Sequence, residues 1–203
     1  MQISDFYTHV LHITDPELVG QLSAVTQARR MARGEFLVRE GEPQPHISFL
    51  LSGILRGFFL DINGRDITDC FGFHLGTPTM ASFDLQAPSP ISIEALTEAE
   101  VLLVPLETAL RFLEQDPRLV QVYNRLLQSS LHTHWQIKTM LHQRTAMERY
   151  QWFLEAYPGL IDQVTNRHVA SFLGMSPVTL SRLRHTLPSE PPSPHRRPPL
   201  RFL

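Results

Sequence analysis

The chain has one cysteine, Cys70, in 203 residues, so a single copy can form neither an internal disulfide nor a four-cysteine zinc or iron–sulfur site. That scarcity fits a reducing cytoplasm. Long apolar runs are missing too: none approaches the roughly 18 residues that span a bilayer. The start, Met1-Gln2-Ile3-Ser4-Asp5, lacks a basic stretch followed by an apolar one. No export signal and no membrane anchor is expected. Lysine is absent from residues 1–120, which carry 8 arginines against 16 acidic residues, whereas residues 121–203 carry 10 basic residues against 4 acidic ones. The net charge of −2 therefore conceals an acidic first part and a basic second part. The second is the one expected to meet a polyanion. With 42% hydrophobic residues, the chain can bury a core without disulfide or metal staples.

Asp15-Pro16-Glu17 reads as a helix start, with Asp15 as cap and proline in the first turn, leading into Leu18, Leu22 and Val25. From Met31 to Pro105 the pattern changes to short β-branched or aromatic runs, at 47–51, 54–60, 67–73 and 101–104, separated by glycine, proline and Asn63-Gly64. These predict an antiparallel roll or sandwich of about eight strands. Asn63-Gly64, where both residues tolerate positive φ, predicts a two-residue type I′ turn. After Pro105 the strands stop. A short helix over 106–113 is followed by a cap at Asp116-Pro117. Apolar residues then recur at Leu119, Val122, Tyr123, Leu126, Leu127, Leu131, Trp135, Ile137, Met140 and Leu141, the spacing of one long helix. Such a helix has little of its own chain to bury that stripe, so pairing with a second copy in a two-fold homodimer is expected, with packing on its own roll as the alternative. A further helix spans 146–156 and ends at Tyr157-Pro158-Gly159. Residues 188–203 hold six prolines and three arginines and read as a disordered tail.

Residues 166–185 carry the most specific pattern. Thr165 can cap a helix whose inner face is Val169, Ala170 and Leu173; Gly174 suits the left-handed turn that ends it. Ser176-Pro177 starts a second helix with Leu180, Leu183 and Leu187 on one side. Two short helices crossing steeply need a small side chain at the contact, supplied by Ala170, and Met175 fills the gap between them. The outer face of the second helix is then Val178, Thr179, Ser181, Arg182 and His185, with Arg184 nearby. No acidic residue lies between Thr165 and Leu187. Such a helix suits the major groove of double-stranded DNA. Arg182 is the candidate for a guanine edge, Thr179 and Val178 for thymine methyls, and Ser176, Ser181 and His185 for phosphates or base edges.

With those residues in place, residues 10–187 resemble the Crp/Fnr family of transcription regulators. The likeness lies in Gly34-Glu35-Phe36-Leu37-Val38-Arg39-Glu40-Gly41-Glu42, in Phe49-Leu50-Leu51-Ser52-Gly53, in Glu94-Ala95-Leu96-Thr97 with the strand at 101–104, and in the order of roll, long helix and helix pair. The resemblance implies an α+β protein: an N-terminal antiparallel, jelly-roll-like β-roll (1–115), a dimerisation helix (116–142), a helix-turn-helix domain (143–187) and the tail (188–203). It implies duplex DNA and a second copy as partners, an unidentified small-molecule effector and RNA polymerase as further ones, and a cytoplasmic location without cofactor. Members that bind cyclic nucleotides use a Gly-Glu pair and an Arg-Ser/Thr-Ala triplet on the ribose and cyclic phosphate. This chain offers Met80-Ala81 and Ser89-Pro90-Ile91 instead. Without the arginine an inserted phosphate has only backbone amides to meet its charge, so tight cyclic AMP binding is not expected. In the second helix the family's frequent Arg-Glu pair is replaced by Pro177-Val178, while Arg182 is kept, which implies a different site preference. The family's β-hairpin wing has no room after Leu187; Arg196, Arg197 and Arg201 of the tail are its candidate substitutes.

Other constellations carry less. His132 and His134 are two residues apart on a helix, about 200° around it, on opposite faces. Cys70 and His74 fall on one side of a strand and invite a haem reading, but a buried strand-end cysteine is the ordinary one. A cupin-like metal enzyme needs histidines and a carboxylate converging in the roll, where only His46 and His74 are available. No catalytic residue and no metal ligand is expected. A module whose helix pair contacts protein rather than DNA is the remaining alternative.

Overall fold

The computed structural model describes residues 1–186 other than Ala81 and Phe83. Leu187 and the proline-rich tail lie outside the described residues, as does Ala81 of the Met80-Ala81 pair. The described residues divide into two compact units, Met1–Phe59 with Cys70–Gln128, and Leu60–Asp69 with residues 129–186.

The first unit opens with α1 (Ile3–Asp5), which runs into a π-helical turn (Phe6–Val10). Helix α2 (Pro16–Val25) starts where expected: the Asp15 carboxylate accepts from the backbone amides of Glu17 and Leu18 ahead of a first-turn proline. Seven strands follow among the described residues, against the expected eight or so: β1 (Gln27–Met31), β2 (Phe36–Val38), β3 (His46–Ser52), β4 (Leu55–Leu60), β5 (Asp66–Gly72), β6 (Ser92–Ala95) and β7 (Ala99–Pro105). They form two sheets, ordered β1-β7-β3 and β2-β6-β4-β5. The registers joining β1, β7 and β3, and those joining β2, β6 and β4, are antiparallel.

Strand β7 explains why its sequence is an unbroken apolar run. Val101 and Leu103 point into the roll, against Met31, Leu50, Leu55, Ile93 and Ala95. Leu102 and Val104 point the other way, into a layer made by Phe6, Tyr7, Leu11, Leu18, Leu22, Leu119 and Leu126. A strand covered on both faces has no polar side to alternate with. Glycines are demanded where the roll turns tightly. At Gly53, φ is +89° and an added Cβ would stand 2.4 Å from the Glu98 carbonyl oxygen, so no other residue fits without backbone movement. One charged pair is buried in the roll. Arg56 on β4 is opposite Glu94 on β6, its Nη1 donating at 2.9 Å, with its guanidinium 4.5 Å from the centre of the Phe58 ring.

The turn at Asn63-Gly64 is not the expected two-residue type I′. The Asp61 amide donates to the Arg65 carbonyl, so Ile62, Asn63 and Gly64 form a three-residue loop, and only Gly64 has positive φ. The Asp61 carboxylate decides this by accepting from the amides of Asn63 and Arg65, a local alternative to the primed turn.

Helix α3 (Leu106–Gln115) runs two residues beyond its expected end. Helix α4 (Pro117–Gln143) is the long helix, and its apolar residues separate into two faces. Leu119, Leu126, Ile137 and Met140 are buried within the chain, so the expectation that the stripe lacks its own chain to pack on is corrected. A second face, with Val120, Leu131 and Trp135, is open, Leu131 and Trp135 being about half exposed. In the second unit α5 (Ala146–Ala156) begins at a capping box in which Thr145 and Glu148 exchange side-chain-to-backbone hydrogen bonds. Helices α6 (Asn166–Phe172) and α7 (Pro177–Thr186) follow.

Candidate nucleic-acid interface

The pair α6 and α7 forms for the reasons legible in its residues. Thr165 accepts from the His168 amide to start α6. Gly174 turns the chain at φ +60°, and the Met175 amide then donates to the Ala170 carbonyl at 3.0 Å. Ser176 starts α7 by accepting from the Thr179 amide at 3.1 Å, ahead of Pro177. Ala170, Val169, Leu173 and Leu180 are fully buried at the contact, as the pattern predicted. The reading missed Phe172, which is also buried, stacks on Trp152 and meets Phe153 and Tyr157 edge to face in one aromatic cluster. Its position three after Val169 was the available signal. Each such ring buries on the order of 2 kcal/mol of apolar surface, enough to hold so short a helix pair in register.

The six candidate contact residues do not share one environment. Val178, Arg182 and His185, spaced four and three apart, lie open along one side of α7. Thr179 and Ser181 are half-buried rather than outward. Ser176 is exposed, but its hydroxyl serves as the cap and also shares a hydrogen bond with the Thr179 hydroxyl at 2.9 Å. Arg184 braces the scaffold, donating to Asn166 Oδ1 at 2.7 Å and Asp162 Oδ1 at 3.2 Å. The described part of α7 carries no acid, so its open side is neutral to positive.

Residues 60–69 pack on the same unit. The Ser171 hydroxyl on α6 accepts from the Thr68 amide at 2.9 Å and donates to the Asp66 carbonyl at 3.3 Å. Arg167 Nη2 donates to Asp66 Oδ1 at 2.7 Å. His134 Nε2 on α4 stands 3.7 Å from Asp69 Oδ2. Of these six residues the sequence drew attention only to His134, as half of a histidine pair; Asp66 and Arg167 lie about a hundred residues apart, and no local pattern announces their meeting.

In the roll the candidate ligand positions are engaged by the protein itself. Ser89, in the place of the expected arginine-led triplet, is buried and engaged by backbone: its hydroxyl donates to the Ile91 carbonyl at 2.6 Å, its amide to the Glu42 carbonyl, and its own carbonyl accepts from Gly41. The buried cation Arg56 is already matched by Glu94. Cys70 Sγ lies against Gly57 of β4, where an added Cβ would meet it at 2.6 Å. His74 lies against Phe73 with ring centres 3.7 Å apart and the rings tilted by 40°, and burial holds its imidazole below the ordinary pKa. Among the described residues no group of three or more His, Cys, Asp or Glu side chains is arranged to hold a metal. Nor is any helix there long and apolar enough to cross a membrane.

The order along the chain is a β-roll, a long helix and a crossed helix pair. Residues 28–116 match the cyclic nucleotide-binding domain family. The transcriptional activator protein Anr of Pseudomonas aeruginosa is 28% identical over 172 residues, covering 78% of this chain and 69% of that protein. The structure of FixK2 from Bradyrhizobium japonicum is similar at a TM-score of 0.71 and 20% identity, covering 80% of this chain and 85% of that one. That of the c-di-GMP-responsive global regulator CLP of Xanthomonas campestris is similar at 0.69 and 16%, covering 85% and 91%. Over these matches the chain is similar to transcription regulators of the Crp/Fnr type.

Hydrogen bonding and attraction to Asp69 raise the His134 pKa above 6.5, with burial opposing. The imidazole is half exposed, so the pair contributes no more than about 0.5 kcal/mol. A folded-state pKa above the unfolded one gives stabilisation that is complete below pH 6.5 and disappears as pH rises through the raised value. Asp69→Asn is therefore expected to lower the melting temperature by about 1–2 °C at pH near 5.5 and not at all near 8.5. An equal loss at both pH values, by differential scanning fluorimetry, contradicts the assignment.

Proposed function

We propose that the chain acts as a cytoplasmic homodimer whose α7 helices enter successive major grooves of an operator. The observation that carries this reading is the arrangement of α7. Leu180 is buried against α6 while Val178, Arg182 and His185 stand open on an acid-free side. Arg182 has the reach and fork geometry for a guanine O6/N7 edge, and Val178 for a thymine methyl. His185 and Ser181 are assigned to phosphates or base edges; Ser176 and Thr179, linked to each other, present one hydroxyl pair to the backbone. Two-fold pairing puts the half-sites about one helical turn apart. The open face of α4, with Val120, Leu131 and Trp135, is assigned to the partner copy. Residues 1–115 then form the sensor, 116–142 the dimer helix and 143–187 the DNA-binding domain. The effector is a small molecule other than a cyclic nucleotide, and RNA polymerase is the expected partner at the promoter.

The direct test is selection of bound sequences from a random duplex pool. A two-fold motif is expected, and Arg182→Ala is expected to weaken the selected site about 10- to 100-fold while relaxing preference at one base pair per half-site. Unchanged affinity would favour a protein-contacting helix pair instead. Replacing Leu131 and Trp135 by aspartate should convert the species seen in sedimentation velocity from dimer to monomer; a dimer that persists removes α4 from the interface. Calorimetric titration with cyclic AMP is expected to give no saturable heat at micromolar concentrations, and a saturable isotherm there overturns the reading of Ser89 and Arg56.

A further inference from the structure

When a two-helix reader lays its second helix in the major groove, its first helix crosses the sugar–phosphate backbone. Permanent cations along that first helix are the groups that meet phosphates. Helix α6 has one, Arg167, in the sequence Asn-Arg-His-Val-Ala-Ser-Phe. Its side chain is 70% exposed, yet Asp66 Oδ1 accepts from it at 2.7 Å. The contact is built rather than incidental, because Ser171, one turn further along α6, holds the same strand end. Its hydroxyl accepts from the Thr68 amide and donates to the Asp66 carbonyl. Backbone hydrogen bonds thus fix the position of the residue whose carboxylate meets the arginine. The loop bears further acids, Asp61 and Asp69, so an acidic segment lies on the basic unit. The other two arginines of the helix pair are treated differently. Arg184 is paired inside its own scaffold, and Arg182 stands exposed on α7.

We propose that Asp66 masks Arg167: residues 60–69 occupy a guanidinium that otherwise bonds a DNA phosphate, and releasing it adds one phosphate contact to the complex. This rests on the reading that α7 binds duplex DNA. An ion pair between an exposed guanidinium and a carboxylate is weak in water, so removing the carboxylate frees the arginine at little cost in stability. The hairpin thereby sets how strongly the protein holds DNA of any sequence, without touching the residues that read bases.

The test uses the full chain and a fluorescent random-sequence duplex of about 30 base pairs, with affinity followed by anisotropy from 50 to 200 mM KCl. Asp66→Asn keeps the backbone carbonyl that Ser171 uses, and thermal melts confirm that each variant folds. Asp66→Asn is expected to bind more tightly than wild type at 50 mM. Its log–log salt dependence should be steeper by about 0.9, equivalent to a further loss of about 3.5-fold across that range. Asp66→Asn/Arg167→Gln should return to the slope and affinity of Arg167→Gln alone. An Asp66→Asn slope equal to that of wild type overturns the proposal. So does a gain in affinity that survives in the double variant, since it would come from removing a negative charge and not from freeing the arginine. If wild type and every variant ignore the duplex at 50 mM, the DNA-binding reading itself fails, and the masking goes with it.

Discussion

The close crossing of α6 and α7 is the constraint on which the C-terminal unit depends. Ala170 and Leu180 are both fully buried there, and the turn between the helices is possible only because Gly174 takes φ +60°. Seven and ten residues are too few for either helix to be stable alone in water. The aromatic cluster of Trp152, Phe153, Tyr157 and Phe172 supplies the burial that the helices cannot supply themselves. Once the buried side is fixed by that cluster and by Leu180, helical geometry leaves Val178, Arg182 and His185 on the opposite side. The surface proposed to meet DNA is thus a consequence of what the core takes.

In the N-terminal unit the corresponding constraint is a strand with two cores. Strand β7 packs the roll on one side and the helical layer on the other, so the roll cannot open at β7 without exposing both. The buried cation of this unit, Arg56, is matched by Glu94 across β4 and β6. A buried ion pair of this kind is costly to break from one side, because the remaining charge stays desolvated. It leaves little for a phosphate to bind. The match to a cyclic nucleotide-binding domain is kept while the triplet position, Ser89-Pro90-Ile91, carries no cationic side chain.

Helix α4 combines two tasks on one cylinder. Its buried residues tie it to its own chain, and its open residues Leu131 and Trp135 offer apolar area that a monomer gains nothing by exposing. Lys138 covers one face of Trp135 at 4.9 Å, a partial shield that leaves the ring half exposed.

Local patterns in the sequence were enough to determine the helix starts at Asp15, Thr145, Thr165 and Ser176, the strand region, the long helix and the crossed pair, because caps, turn glycines and apolar spacing act over a few residues. The run at 101–104 read as a strand, and the basic second half marked the side proposed to meet a polyanion. Tertiary structure alone decided what depends on distant residues meeting. The partition of α4 into two faces, the pairing of Arg56 with Glu94, the half-burial of Thr179 and Ser181 and the hold of Asp66 on Arg167 all belong here. The turn at Asn63-Gly64 shows the same limit at short range, since the Asp61 carboxylate, and not the favoured dipeptide, chose its length. Side-chain hydrogen bonds and ion pairs select among backbone options that local propensity leaves nearly equal in energy, and they exist only once the chain has folded.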